Sequence, residues 1–347
     1  MKQQLLILSL FLLLIGCGDS SNQQPKEKAE RLSQQAEVEL NKLNYEEAER
    51  LLSESINIYT ESNNETKLTE NYSSLSTTQV LSGKLSLALE SLIALRSYYK
   101  SAADRSNELQ TMIQLGNIYF QLGKKREALS ILNETFNNSQ LYQLGHIRAK
   151  AAVDIASIYA STNYHETAIQ YLKTAEAFYE TQKDTTRVIE TECLLIHSLS
   201  ALKKNDEAIA TYRTAKSLLV SNTSAPNEPL FYLRCGEAFA LLGEFSFAKM
   251  NFEQGLELIA HQSKYQNSAY AAHLQIGLGE LYFHNIAFEE AQLHYTKAYE
   301  TAKNEQNSIV LGYLLVRIAD CISKRAAYHG GSFNNGTDGM IQATQLY

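Results

Sequence analysis

Residues that interrupt regular structure are scarce in this sequence. It has only 3 prolines in 347 residues. Tryptophan is absent altogether. Because proline removes a backbone hydrogen-bond donor and breaks helices, so few prolines over this length favour long helices. Ala, Leu, Glu, Lys and Gln, which all favour helix, are abundant. The composition therefore predicts mostly helical structure.

An excess of basic residues is also missing. Lys and Arg number 31 against 38 Asp and Glu, and the formal net charge is −7. A protein that binds nucleic acid needs a basic surface to neutralise phosphates, so we predict no nucleic-acid partner. The apolar run at residues 5–15 has 11 residues, whereas a helix that spans a bilayer needs about 20.

Cysteines are few, and their spacing indicates no metal site. The 4 cysteines form neither a CxxC motif nor a paired metal-ligand pattern. Cys193, Cys235 and Cys321 lie in apolar stretches, where a free cysteine is usually a small buried hydrophobe. Cys193 and Cys235 fall on corresponding helices of adjacent repeats, so a disulfide between them remains an alternative in an oxidising compartment.

The N-terminus has the pattern of an export signal. Lys2 precedes the short apolar run, and small residues follow it, as in a signal peptide. The end of the run, Leu14-Ile15-Gly16-Cys17, resembles the lipobox of bacterial lipoproteins. That resemblance implies a signal peptide at residues 1–16, lipid attachment at Cys17 and a polar tether at residues 17–25. An ordinary secretory signal with a chance cysteine is the alternative.

The lipobox resemblance also implies a location. A lipid on Cys17 would hold the chain in a membrane of the bacterial cell envelope, on the periplasmic side, because more than one acyl chain gives stable anchoring. Gly18 rather than aspartate follows the cysteine. Under enteric-type sorting this favours the outer membrane.

One alanine recurs at a fixed distance along the chain. The positions are Ala48, Ala88, Ala128, Ala168, Ala208, Ala248 and Ala291, which are 40 residues apart five times and then 43. Apolar residues keep the same register: four residues after each alanine come Leu52, Leu92, Leu132, Leu172, Tyr212, Phe252 and Tyr295. Within each copy the apolar positions follow helical spacing on both sides of a polar or glycine-containing break. Each copy is therefore predicted to be helix, turn, helix, and such pairs must stack to bury their apolar faces.

The repeat resembles the tetratricopeptide repeat. The third copy supplies Leu115-Gly116, Tyr119 and Ala128, and the seventh supplies Leu278-Gly279, Tyr282, Ala291, Tyr295 and Ala298. The resemblance covers residues 26–304 as seven helix pairs and implies an all-α solenoid, a right-handed superhelix that binds partner proteins. The period of 40 exceeds the family's usual period of about 34, which resembles the long-helix variant of the family.

Residues 305–347 are predicted to be an incomplete eighth repeat. The segment 309–326 has the spacing of a first helix, residues 329–339 form a Gly/Asn-rich loop, and residues 339–347 look like the opening of a second helix. A short helix without a cap is an unusual end. It favours a fragment or a truncated reading frame, with a natural end as the alternative.

Catalytic motifs are not complete anywhere in the sequence. His165-Glu166 begins a metalloprotease HExxH motif, but Ile169 stands where the second histidine belongs. We therefore predict no catalytic residues, no metal, no cofactor and no enzymatic activity.

The resemblance places a partner-binding groove on the first helices of the repeats. The groove positions are Gln114, Asn117, Gln121, Asp154, Ser157, His197, Arg234, Glu237, Glu280 and His284. Only Asn117 matches the two-carboxylate clamp of some family members, so we expect a protein or peptide partner of another kind. The favoured function is a membrane-anchored interaction scaffold. The alternative is the N-terminal sensing region of a longer protein with a downstream effector domain, such as a caspase-like protease.

Overall fold

The computed structural model describes residues 20–221, 228–262, 270–304 and 308–328. Within these ranges the chain forms fifteen α-helices and no strand. The helices are α1 (Ser20–Asn41), α2 (Tyr45–Glu61), α3 (Glu65–Leu81), α4 (Leu85–Ser101), α5 (Arg105–Gln121), α6 (Lys125–Leu141), α7 (Gly145–Ala160), α8 (His165–Thr181), α9 (Thr185–Ala201), α10 (Asn205–Ser221), α11 (Glu228–Leu242), α12 (Phe245–His261), α13 (Tyr270–His284), α14 (Phe288–Asn304) and α15 (Ser308–Tyr328). Odd-numbered helices are the first helices of the predicted pairs, and even-numbered helices are the second.

Several predictions from the sequence fall outside the described residues. The signal peptide at 1–16, Cys17, and the loop and second helix predicted at 329–347 all lie there. The helix α1 begins at Ser20, so residues 20–25, which the sequence assigned to the tether, are helical in the structure. In the described part of the chain, no helix combines the length and apolar character that crossing a membrane requires.

The described turns between helices share one geometry, which sets the spacing of the repeat. After α2, the Asn64 amide donates to the Tyr59 carbonyl (3.1 Å) and the Asn63 amide to the Thr60 carbonyl (3.2 Å). These are the paired bonds of a Schellman motif, whose middle residue adopts a left-handed conformation. The residues with positive φ are Leu43, Asn63, Gly83, Ala103, Gly123, Gln143, Asn163, Lys183, Lys203, Gly243 and Ile286. Helices of 17 residues joined by such three-residue turns give the 40-residue interval of the alanines.

The recurring alanines lie where paired helices come closest. All seven are fully buried, and the large residue four positions later is also buried in every copy. A first-helix glycine faces that large residue in three copies: a Cβ on Gly236 would lie 2.4 Å from Phe252, and one on Gly279 would lie 2.6 Å from Tyr295. The small residues therefore let large side chains fill the space between the two helices of a pair.

The chain divides into two compact units, Met1–Ile158 and Tyr159–Tyr347. In the first unit, α1 is polar at several positions where other copies are apolar, yet Ala29, Leu32 and Ala36 are buried against α2 and α3. A small polar network accompanies this core. The Ser33 hydroxyl donates to Asn71 Oδ1 (2.8 Å), and Ser55 donates to the Ala29 carbonyl (2.9 Å).

The second unit includes the first helix of the eighth repeat, which the sequence predicts at residues 309–326. In the structure this is α15, which packs on α13 and α14 through Leu314, Ile318 and Cys321. Each of these three side chains is fully buried. The predicted first helix of the eighth repeat therefore joins the same core as the seventh pair.

The three cysteines of the described chain are free, buried thiols. Burial raises the pKa of Cys235 well above its ordinary value, and a hydrogen bond with the Cys193 thiol acts in the same direction. The two residues are thus neighbours on α9 and α11, as their repeat positions predict, and no disulfide joins them in this structure. Burial also raises the pKa of Cys321, to about 12.

Candidate partner-binding hollows

Hollows open between successive first helices in each unit. In the first unit, the N-terminal hollow lies between α1 and α3 with a volume of about 470 Å³, and the middle hollow lies between α3 and α5 with about 220 Å³. In the second unit, the C-terminal hollow is lined by α9, α11 and α13 and has about 600 Å³. Second helices contribute the floors, for example Leu52 and Tyr59 of α2 in the N-terminal hollow.

Three predicted groove residues line the middle hollow. Gln114, Asn117 and Gln121 lie on one face of α5 and share the hollow with Ser76 and Val80 of α3. Their spacing of three and four residues places them on adjacent turns of the helix. The structure therefore brings these three residues together in the lining of one hollow.

Asp154 and Ser157 on α7 belong to the same unit but make contacts within the chain. Asn117 Nδ2 donates to Asp154 Oδ2 at 3.1 Å, which joins α5 to α7. The Ser157 hydroxyl donates to the Val153 carbonyl of its own helix at 3.0 Å. Neither residue is among those that line the middle hollow.

The C-terminal hollow unites four predicted residues with an apolar floor. His197 of α9, Glu237 of α11, and Glu280 and His284 of α13 all line it. The apolar lining consists of Ala240, Leu241, Phe245, Phe252, Ile276 and Leu281, together with Gly243 and Gly277. Arg234 is exposed one turn before Glu237 but does not line the hollow.

Glu280 is already neutralised by its own chain. Its Oε1 accepts hydrogen bonds from the Tyr295 hydroxyl (2.7 Å) and Arg317 Nε (2.7 Å), and its Oε2 accepts from Arg317 Nη2 (2.6 Å). The Tyr313 hydroxyl donates to Oε1 as well. Burial raises the pKa of Glu280, but hydrogen bonds from Tyr313, Tyr295 and Arg317 outweigh it, and the net pKa is below the ordinary value. Although Glu280 borders the hollow, its charge is matched by Arg317 before any partner arrives.

Glu237 differs from Glu280 in having no neutralising contact. Within the described residues its carboxylate makes neither a hydrogen bond nor an ion pair. Its surroundings in the hollow raise its pKa by desolvation, while the charges of Arg234 and His273 act in the opposite direction. Glu237 is an exposed residue of the hollow's lining, so its carboxylate is accessible to a cationic group of a partner.

His197 enters the hollow as a neutral side chain. Burial lowers its pKa, and the nearby His165 and Arg234 lower it further. The rings of His197 and His165 have centroids 6.1 Å apart. A neutral imidazole can both donate and accept a hydrogen bond, so it adds polarity to the hollow without charge.

The sequence prediction missed two parts of these sites. His273 and the aromatic floor of the C-terminal hollow were not among the predicted residues. The N-terminal hollow was missed entirely, although Glu30, Glu37 and Glu70 line it. The i, i+7 spacing of Glu30 and Glu37 along α1 was a usable signal, because it places both on one face of a first helix.

Metal binding finds no support in the described residues. Nowhere among them do three His, Cys, Asp or Glu side chains converge in an arrangement that could hold a metal ion.

Comparison with known proteins supports the repeat. A family model described as tetratricopeptide repeat matches residues 109–134 and 149–181. The chain therefore contains tetratricopeptide repeats in these segments, and that part of the sequence prediction is confirmed. No curated protein matches the sequence.

Solved structures share the fold at low sequence identity. Aspartyl phosphate phosphatase F from Bacillus subtilis has a TM-score of 0.65 at 15% identity, over 85% of this chain and 75% of that chain. A Rap protein complexed with competence and sporulation factor has a TM-score of 0.51 at 10% identity, over 87% and 99%. A signal transduction ATPase with numerous domains from Pyrococcus horikoshii, which has a tetratricopeptide repeat sensor, has a TM-score of 0.57 at 16% identity, over 78% of this chain and 39% of that one. These likenesses confirm the predicted all-α repeat solenoid.

Proposed function

We propose that this protein is a membrane-anchored scaffold of the bacterial cell envelope that binds a protein or peptide partner. The observation on which the binding role rests is the C-terminal hollow, where polar side chains of three first helices surround an apolar floor. Its volume of about 600 Å³ falls within the range of about 300–1,000 Å³ that is usual for ligand sites. A partner side chain of any size could be accommodated there.

The fold comparisons favour a peptide or protein rather than a small metabolite. The chain contains tetratricopeptide repeats, and one structure of similar fold is a Rap protein complexed with competence and sporulation factor. The net charge of −7 favours a protein partner over nucleic acid. The assignment as a binding protein without catalytic activity is part of this proposal, because another structure of similar fold bears the name of a phosphatase.

The anchoring role rests on the sequence of the N-terminus. Cys17 follows the apolar run in the context Leu14-Ile15-Gly16-Cys17. A lipid on this cysteine would keep the repeats at the envelope membrane, with the outer membrane favoured by Gly18. The partner is then expected among proteins that reach the periplasmic side.

The binding role is tested by blocking the C-terminal hollow. Ala240 lines the hollow and is exposed, so Ala240→Phe places a ring in the open space without disturbing the core. The matched control is Ala260→Phe, an exposed alanine on α12 outside the hollow. We expect affinity capture from the native envelope to recover the same partner with the wild type and Ala260→Phe, and at least tenfold less with Ala240→Phe. If all three proteins recover equal amounts of the partner, the hollow is not the site that binds it.

A second candidate function has one specific observation in its favour. The similar structure from Pyrococcus horikoshii carries a tetratricopeptide repeat sensor in a longer protein, and this chain matches only 39% of it. The repeats described here could serve in the same way as the sensing part of a longer protein with an effector domain. Sequencing the gene beyond the Tyr347 codon tests this, since an immediate stop codon would exclude it.

A further inference from the structure

The geometry of the C-terminal hollow points to a partner segment in which an apolar side chain and a basic side chain lie two positions apart, with the basic group bound by Glu237. This inference rests on the proposed function and specifies the chemistry of the partner. The apolar floor, the charges in the hollow and the spacing of its lining residues each contribute to it.

The floor of the hollow is a preformed apolar surface. Phe252 is 1% exposed, and its ring is held between two glycines: a Cβ on Gly236 would lie 2.4 Å from it and one on Gly277 would lie 2.5 Å away. Close packing therefore fixes this ring beneath the hollow. The accessible apolar surface above this ring belongs to Leu241, which is 46% exposed, and to the partly buried Phe245 and Ile276. An apolar side chain of the partner is the group that gains most by burial there.

The charges of the hollow leave one carboxylate available. Glu280 is paired with Arg317 and two tyrosine hydroxyls. His197 is neutral, because its pKa is lowered by burial and by its neighbours. Glu237 makes no hydrogen bond or ion pair with any described residue. A cationic group of the partner would therefore bind Glu237, whereas an acidic group would be repelled by it.

The spacing between the acidic and apolar features fixes the spacing in the partner. Glu237 and Leu241 are four residues apart on α11, and both line the hollow. On a helix, such residues lie about 5–6 Å apart. In an extended segment, side chains on the same face are two residues apart, at about 6.6 Å. An extended partner would thus match the hollow with a basic residue and an apolar residue separated by one position.

The competing assignment is an acidic partner bound by Arg234 and His273. Arg234 is exposed beside the hollow and His273 lines it. This alternative predicts acidic rather than basic residues next to the apolar anchor. The charge of selected peptides therefore discriminates the two.

The test is a selection of random decapeptides displayed on phage against the immobilised full chain. We expect enrichment of sequences with Lys or Arg and a large apolar residue separated by one position. The Glu237→Lys variant should prefer acidic residues instead of basic ones. For an individual peptide, replacing Lys by Glu should weaken binding to the wild type about tenfold and strengthen binding to Glu237→Lys about tenfold. Glu257→Lys, at an exposed position of α12 outside the hollow, should keep the wild-type preference. Circular dichroism and thermal unfolding show whether each variant is folded.

The outcomes separate this inference from the proposed function. If peptides are enriched without a basic residue near the apolar one, or if Glu237→Lys selects the same sequences as the wild type, the inference is wrong while peptide binding stands. If the wild type enriches nothing beyond what Ala240→Phe enriches, the binding role of the hollow is wrong, and the inference fails with it.

Discussion

Glu192 and Glu280 lie on first helices of the second unit, where Glu192 is buried and Glu280 is half-buried, and their charges are treated in opposite ways. Glu280 keeps its charge because Arg317 and two hydroxyls surround it. Glu192 is 3% exposed, and within the described residues its Oε2 has no hydrogen-bond partner. Burial raises the pKa of Glu192 to about 8, with Glu176 and Glu180 adding to the effect. At neutral pH, Glu192 is therefore mostly protonated.

Replacing Glu192 by glutamine should stabilise the protein in a pH-dependent way. A glutamate in the unfolded chain has a pKa of about 4.3, whereas that of Glu192 in the fold is about 8. Folding takes up a proton between these values, so the wild type loses stability as pH rises from about 4.3 to about 8. Glutamine does not titrate, so the free energy of unfolding of Glu192→Gln should exceed that of the wild type by about 4 kcal/mol at pH 7.5. Urea denaturation at several pH values measures this difference.

The control for this prediction is Glu190→Gln on the same helix. Glu190 has a side chain that is 41% exposed and paired with Arg187, so its replacement should change stability by about 0.5 kcal/mol or less. The difference between Glu192→Gln and the wild type should also shrink toward pH 4.5. A difference that is constant from pH 4.5 to 8 would show that Glu192 does not take up a proton on folding.

The ion pair of Glu280 and Arg317 should contribute stability on the acidic side. Arg317→Met leaves the Glu280 carboxylate with only its tyrosine donors, and since the Glu280 side chain is 29% exposed, we expect a loss of about 2 kcal/mol in urea denaturation at pH 7. Because the pKa of Glu280 is lowered in the fold, this contribution is complete above about pH 4.3 and is lost as pH falls below it. The double variant Glu280→Gln with Arg317→Met should recover part of the loss. A double variant as unstable as the sum of the single ones would contradict a direct pairing.

At the scale of the helices and turns, one geometry recurs with different residues in the critical position. Gly83, Gly123 and Gly243 occupy the left-handed position of their turns, where a side chain is unfavourable. The turn between α13 and α14 has Ile286 there, with φ of 63°. A β-branched residue in this region costs about 1–2 kcal/mol. The turn nevertheless keeps the same pair of hydrogen bonds, from Ile286 and Ala287 to Phe283 and Tyr282.

Relieving this strain should stabilise the second unit. Ile286 is 60% exposed, so Ile286→Gly loses little packing while it removes an unfavourable conformation. After the entropic cost of glycine, we expect a gain of about 0.5–1 kcal/mol, measured as a higher urea midpoint. The reverse change, Gly243→Ile at the equivalent position of another turn, should lower the midpoint. A lower midpoint for Ile286→Gly would mean that the isoleucine side chain contributes more than its backbone strain costs.

The sequence predicted the helices better than the contacts between them. The alanine column and the large residues four positions later were readable because close packing restricts both positions in every copy. The pairing of Glu280 with Arg317 was not readable, because it joins helices two apart and depends on how α15 packs. The sequence predicted a turn within each copy, but the shared geometry of the turns was not readable, since residues as different as Leu43, Lys183 and Ile286 occupy the left-handed position. The backbone bonds specify that turn, and no single side chain marks it.

The repeat architecture of the whole molecule predicts that anchoring and partner binding are independent of each other. Each helix pair contacts mainly its neighbours along the chain, so the effects of distant substitutions are expected to be independent. The proposed lipid site at Cys17 and the C-terminal hollow at Glu237 belong to different units of the chain and are far apart in sequence. Anchoring and partner binding should therefore be separable by single substitutions.

We predict that Cys17→Ser abolishes labelling with radioactive palmitate and moves the protein from the membrane fraction to the soluble fraction, because the lipid needs the thiol. The purified variant should bind the partner with wild-type affinity. Glu237→Lys should show the reverse: it should stay labelled and membrane-bound, while its affinity for the partner falls about tenfold or more. Fractionation of cells and a binding assay on each purified protein measure the two properties separately. If Cys17→Ser stays in the membrane fraction, the anchor is not a lipid on this cysteine. If the purified Cys17→Ser protein has lost affinity for the partner, anchoring and binding are coupled through the fold rather than independent.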